Sequence, residues 1–248
     1  MTQHEAEAAF AAQGGPTGIL LCHGFTGSPA SMRPWAEYLA SAGFTVRLPL
    51  LPGHGTTFRE LAGTTWQDWY GALLTAVREL QACCDRIFVF GLSMGGTLAL
   101  RLAQELGDEI AGIVLVNAAV HTEDPRAPYA KFLQYLMPTL PAIGNDIKKP
   151  SADEHAYPRM PVRAFVQMQR LWATVRSDID LVTQPTLMLV SVEDHVVEAS
   201  NGLWLAQHIP APDKTLIALE NSFHVATLDH DAPLIFEKSL EFVRRIRG

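Results

Sequence analysis

Ile87-Phe88-Val89-Phe90-Gly91-Leu92-Ser93-Met94-Gly95-Gly96-Thr97-Leu98-Ala99-Leu100 is the stretch on which the fold turns. Four consecutive apolar residues read as a buried strand, and residues 97–103 read as a helix. Between them lies Gly-x-Ser-x-Gly, with glycines two before and two after Ser93. A sharp strand-to-helix turn strains its central residue and brings the flanking segments close, so a side chain at either glycine would collide. Such a turn presents the Ser93 hydroxyl at the tip of a sheet. The plainer alternative is a tight turn whose serine only caps the helix.

Outward from this turn, short apolar runs alternate with longer segments of helical period, and no repeat recurs at a fixed spacing. Strands are predicted at 17–22, 44–48, 86–90, 110–116, 185–191 and 214–219. The clearest helix covers 65–81, where Trp66, Trp69, Leu73, Val77 and Leu80 share one face. The alternation predicts an α/β fold with a mostly parallel central sheet flanked by helices. Residues 121–180 break it. That segment carries six prolines before Pro161 and apolar stretches such as 132–137, the mark of an insertion that covers a site rather than a plain connection. The predicted organisation is a core of 1–120 and 181–248 with a lid at 121–180. The first dozen or so residues read as a weakly ordered lead-in.

Composition narrows the function classes. The 248 residues are 48% hydrophobic and 18% charged, ordinary for a globular domain, with a net charge of −7 and no polybasic block. No footprint for nucleic acid or an anionic membrane is visible. The N-terminus lacks a basic start and apolar run, no stretch approaches a membrane span, and the three cysteines cannot close a disulfide framework. Those features predict a cytoplasmic protein. No zinc spacing, P-loop or Gly-x-Gly-x-x-Gly occurs, so neither metal nor nucleotide cofactor is expected.

A serine hydroxyl becomes a nucleophile only when a base takes its proton and a carboxylate orients that base. On a sheet of this kind the chain order is serine, acid, histidine, which leaves His195, His208, His224 and His230 as bases. His224 follows the last predicted strand through the loop Glu220-Asn221-Ser222-Phe223, which sets it at the carboxyl edge of the sheet. His195 reads as a rim residue beside the acid. The loop Val192-Glu193-Asp194-His195 offers two carboxylates, and the shorter Asp194 is preferred over Glu193 as partner of the imidazole. The two N–H donors for a tetrahedral oxyanion are assigned to Met94, after the nucleophile, and Phe25, in the loop after an early strand. His23 reads as a buttress of that loop. His54 precedes the serine in a glycine-rich turn and reads as structural.

These residues resemble the α/β-hydrolases, and within them the small bacterial monoacylglycerol lipases and thermostable carboxylesterases, from about Gly18 to the C-terminus. The motifs, in order, are residues 23–28 (HGFTGS), 52–55 (PGHG), 91–96 (GLSMGG), 193–197 (EDHVV) and 221–229 (NSFHVATLD). The resemblance implies an α/β-hydrolase fold, a Ser93, Asp194, His224 triad, a Phe25 and Met94 oxyanion hole, and a small mobile lid. Within the lid, 144–150 and 154–157 are also similar to the lipases. There Glu154 matches a polar residue facing the glycerol end of the substrate, and Ile143 an apolar lid contact. The implied activity is hydrolysis of monoacylglycerols through an acyl-enzyme, with a small ester or lipid as partner. The alternatives are a general short- or medium-chain carboxylesterase, more distantly a peptidase or carbon–carbon hydrolase, and a non-catalytic binding protein on the same fold. The short N-terminal lead-in departs from the pattern, with little room for the hairpin that opens many hydrolases of this fold.

Overall fold

The computed structural model describes residues 7–150 and 152–247. A seven-stranded sheet runs in the order β1-β3-β2-β4-β5-β8-β9. Its strands are β1 (Phe10–Ala12), β2 (Thr17–Cys22), β3 (Thr45–Leu48), β4 (Arg86–Leu92), β5 (Gly112–Val116), β8 (Thr186–Ser191) and β9 (Lys214–Leu219). Only β1 runs antiparallel, pairing with β3. A separate antiparallel ribbon joins β6 (Thr139–Pro141) to β7 (Arg159–Pro161). The strand at residues 10–12 corrects the expectation of a weakly ordered lead-in, of which residues 1–6 lie outside the described residues. A three-residue edge strand is held by backbone bonds, so its side chains need not alternate.

The helices, in chain order, are α1 (Arg33–Ser41), α2 (Phe58–Leu61), α3 (Trp66–Gln81), α4 (Met94–Leu106), α5 (Ala130–Leu133), α6 (Val162–Ser177), α7 (Ser200–His208) and α8 (Ala232–Arg247). Parallel strands joined by helical crossovers must be covered on both faces, and β2, β5 and nearly all of β4 are buried accordingly. One face packs Trp69, Leu73 and Leu80 of α3 and Leu98 and Leu102 of α4 against Val89, Ile113 and Met188. The other packs Trp35 and Leu39 of α1 and Leu240 and Phe242 of α8 against Phe88, Phe90 and Leu189. Each such side chain contributes roughly 1.5–3 kcal/mol when fully buried.

Helix α3 begins one residue inside the predicted span because Thr65 caps it. Its hydroxyl accepts from the Asp68 N–H at 3.3 Å, and its N–H donates to Asp68 Oδ2 at 2.8 Å. Helix α6 falls within the segment 121–180, yet Ala164, Met168, Leu171, Trp172 and Val175 pack into the core beside α3 and α4. Those positions recur at helical spacing, so α6 has an apolar stripe that only the main body can cover. Pairing of Cys22 with Gly91, Leu92 with Val116, and Ser191 with Leu219 aligns the carboxyl ends of five strands. The loops that leave those ends carry the candidate site.

Candidate active site

Ser93 sits between β4 and α4 with φ 56° and ψ −120°, a left-handed backbone that a non-glycine residue occupies only under constraint. Its N–H donates to the Val116 carbonyl at 2.9 Å, and its carbonyl accepts from Gly96 at 2.9 Å and Ala119 at 3.3 Å. The flanking glycines are required by approach. A Cβ on Gly95 would overlap the Cys22 carbonyl oxygen, and one on Gly91 would overlap the carbonyl of Gly95. The side chain of Thr97, one turn into α4, donates to the Ala119 carbonyl. Ser93 is thereby held against both neighbouring strands and remains only 7% exposed.

His224 lies in the loop after β9, and its Nδ1 is 2.8 Å from Asp194 Oδ2. Both side chains are buried. The other Asp194 oxygen accepts the Val196 and Val197 N–H groups, each at 2.8 Å, which fixes the carboxylate plane. Glu193, the alternative acid, instead meets Lys148 Nζ at 3.3 Å and is half exposed. Burial of the His224 ring opposes protonation. The hydrogen bond to Asp194 and the charges of Asp194, Glu154 and Asp146 outweigh it and raise the pKa above the ordinary imidazole value.

The loop after β2 passes close to Ser93, since a Cβ on Gly24 would stand 3.5 Å from that of Ser93. Thr26 has φ 61°, and the Phe25 ring packs 5.9 Å from Trp69. Among the described residues, neither the Phe25 nor the Met94 N–H is spent on a protein acceptor. Met94 opens α4, where the first N–H groups have no partner within the helix. His23 holds the loop from beneath. Its Nδ1 is 2.9 Å from the Gly24 carbonyl, its Nε2 accepts from Leu51 N–H at 3.2 Å, and burial lowers its pKa to about 4. His54 is also buried, 5.0 Å from the His23 ring, and burial keeps it well below the usual imidazole range.

Glu154 reaches this region from the insertion. Its Oε1 accepts from Asn145 N–H at 2.9 Å, and its own N–H donates to Asn145 Oδ1 at 2.9 Å. Its Oε2 would meet a Cβ on Gly27 at 3.5 Å, so the carboxylate faces the loop after β2, and burial raises its pKa. Ile143 is different. It stands 63% exposed on the surface of the insertion.

Two residues to which the sequence reading assigned no role complete the arrangement. Asn117, at the end of β5 with φ 44°, donates to the His224 carbonyl at 2.7 Å and to Ser191 Oγ at 2.9 Å, while its Oδ1 accepts from Ser191 N–H at 2.8 Å. An asparagine directly after a strand is a recognisable signal, because its short amide tolerates left-handed backbone. Asp146 accepts from the backbone N–H groups of His224 and His195, each at 3.1 Å, and lies 2.8 Å from His195 Nδ1. It lies in the lipase-like stretch 144–150, where no role had been assigned to it. Among the described residues, no group of three His, Cys, Asp or Glu side chains is placed to hold a metal ion.

A strained serine, a buried histidine paired with a carboxylate, and two uncommitted N–H groups are what acyl transfer requires. The family model described as Serine aminopeptidase, S33 matches residues 17–231. A thermostable monoacylglycerol lipase from Bacillus sp. (strain H-257) is 45% identical over 239 residues, covering 96% of this chain and 95% of that one. A carboxylesterase from Bacillus subtilis (strain 168) is 29% identical over 238 residues, covering 96% of each. Among solved structures, one described with LipS and LipT, two metagenome-derived lipolytic enzymes, superposes with a TM-score of 0.94 at 42% identity, covering 97% of this chain and 98% of that one.

Proposed function

The chain belongs to the α/β-hydrolase family described as Serine aminopeptidase, S33, and from that premise we propose that it hydrolyses carboxylic esters, with monoacylglycerols as the favoured substrates. The observation that carries the reading is the buried His224–Asp194 pair at 2.8 Å, set at the same sheet edge as the strained Ser93. The relatives that support esters over peptides are a monoacylglycerol lipase and a carboxylesterase.

In this mechanism His224 Nε2 accepts the Ser93 proton as Oγ attacks the ester carbonyl, and the carbonyl π electrons move onto oxygen. The Phe25 and Met94 N–H groups receive that oxyanion. Collapse breaks the bond to the alcohol, which leaves as glycerol with the proton from His224. Water then attacks the acyl-enzyme, giving its proton to the same imidazole, and the second collapse returns Ser93 and releases the fatty acid. Asp194 holds the Nδ1–H tautomer and stabilises the imidazolium throughout. Glu154 supplies a carboxylate acceptor for a glycerol hydroxyl, and the insertion at 121–180 covers the site, anchored to the core through α6. Among the described residues no helix is long and apolar enough to cross a membrane, and the three cysteines are free, in keeping with a cytoplasmic location.

The test is glycerol release from 1-monoacylglycerols of graded chain length, beside the matching di- and triacylglycerols and simple alkyl esters, with Ser93→Ala as the blank. Preference for monoacylglycerols over both sets is the expected result. Equal turnover of any short ester would reduce the activity to that of a general carboxylesterase and remove Glu154 from the site.

A further inference from the structure

The insertion does more than cover the site, because one of its residues is bonded into the loops that carry the base and the acid. Asp146 lies in the segment 144–149, 78 residues before His224 and 48 before Asp194. Its carboxylate receives the His224 N–H and the His195 N–H on Oδ2, and its own carbonyl accepts from Val225 N–H at 3.1 Å. The side chain is largely buried. Asp229 fastens two further residues of the same segment, accepting from Lys148 N–H at 2.7 Å and Lys149 N–H at 2.9 Å, and also accepts from Phe223 N–H at 2.9 Å. Residues 146–149 are thus stitched to the His224 loop on both sides of the imidazole.

Resting on the ester-hydrolase reading, we propose that Asp146 is a positioning residue for that reaction: bridging the His224 and His195 backbones, it sets the register of the imidazole against Asp194. Two loops that leave different strands have no covalent reason to keep a 2.8 Å bond in register. A carboxylate that accepts one N–H from each supplies that reason. The bridge is anionic, so it also acts on the base through space, together with Asp194 from the β8 loop and Glu154 from the insertion, all of which favour the imidazolium. Asp146 touches neither substrate nor Ser93 in this role. Its effect reaches the chemistry through His224.

The experiment measures kcat and KM across pH with a short-chain p-nitrophenyl ester, scaling kcat to the folded fraction read by far-ultraviolet circular dichroism. Asp146→Ala is expected to lower kcat about tenfold to a hundredfold, the scale on which a displaced catalytic group acts, with KM within about twofold. Asp146→Asn, which keeps an oxygen acceptor without the charge, is expected to recover most of kcat and to move the acidic limb to lower pH. A role confined to folding would lower the folded fraction and leave that limb in place. His195→Ala removes the ring but leaves the backbone bonds to Asp146, and is expected to stay within about twofold of the parent.

Unchanged kcat and pH profile in both Asp146 variants would overturn the proposal. So would a loss in His195→Ala as large as that in Asp146→Ala, because the effect would then belong to the ion pair. If Asp146→Ala does not fold, the pH shift of Asp146→Asn decides alone. Failure of the underlying reading looks different, since the unsubstituted chain would then turn over no ester at all.

Discussion

At Ser93, His224 and Glu154 the chemistry depends on single atoms. Replacing Ser93 by alanine removes the group placed to form the acyl-enzyme, so kcat should fall by roughly a millionfold. Burst kinetics and glycerol release check it, and near-normal turnover would sink the mechanism. Because the base works as neutral imidazole and its pKa lies above the ordinary value, activity should fall with acidification at a higher pH than free imidazole would dictate. The stability linkage has the opposite direction. A raised folded pKa stabilises the fold fully below the unfolded value of about 6.5, and the contribution is lost as pH rises through the folded pKa. Thermal melts of Ser93→Ala from pH 5 to 9, compared with Ser93→Ala/His224→Gln, isolate this effect. Glu154→Gln should lower kcat/KM for monoacylglycerols several-fold while leaving simple alkyl esters near the parent value, which competition between the two substrates in one vessel would show.

Elements position these atoms, and their failures should be local. Gly95→Ala places a methyl against the Cys22 carbonyl, so the turn must open and the two oxyanion donors part. Loss of nearly all activity with retained secondary structure by circular dichroism is the expected outcome. Thr65→Ala removes the cap of α3, far from Ser93 in function, and should cost about 1 kcal/mol with unchanged kinetics, read as a lower midpoint in urea. The same contrast explains how much was legible in the residues themselves. Strands β2 and β9 begin and end where predicted, β2 because all six of its residues are buried, and β9, largely exposed at the sheet edge, because its short apolar run ends at a turn. Strand β1 left no trace in the pattern, since its contribution is backbone pairing. The assignments of Ser93, Asp194 and His224 rested on motif and order, and the structure brings the histidine and acid within hydrogen-bond distance. The stretch 144–150 stood out by resemblance, but the role of Asp146 within it did not, because an aspartate in a polar loop becomes meaningful only when a chain segment 78 residues away folds onto it.

Over the whole molecule, both hydrophobic clusters share β2, β4, β5 and β8, so neither can open without exposing the other. Unfolding of the core should therefore be one transition, with tryptophan fluorescence and far-ultraviolet dichroism coincident in urea. Among the described residues, the insertion has only the small cluster of Ala130, Val162 and Val166 to itself. Its amides at 127–145 should exchange with deuterium well before those of β4 and β5, and coincident exchange would contradict the separation. Strand order has a further consequence, in time rather than space. The segment that ends at β5 contains the nucleophile and its turn, but β5 gains its outer neighbour only when β8 pairs with it, and the imidazole follows β9, which comes later still. During synthesis from the N-terminus, a chain still attached to the ribosome with β9 inside the exit tunnel carries a nucleophile and no base. Hydrolytic competence arrives only once β9 and the His224 loop have emerged, so a product truncated before them would hold the serine yet remain inert toward the lipids around it.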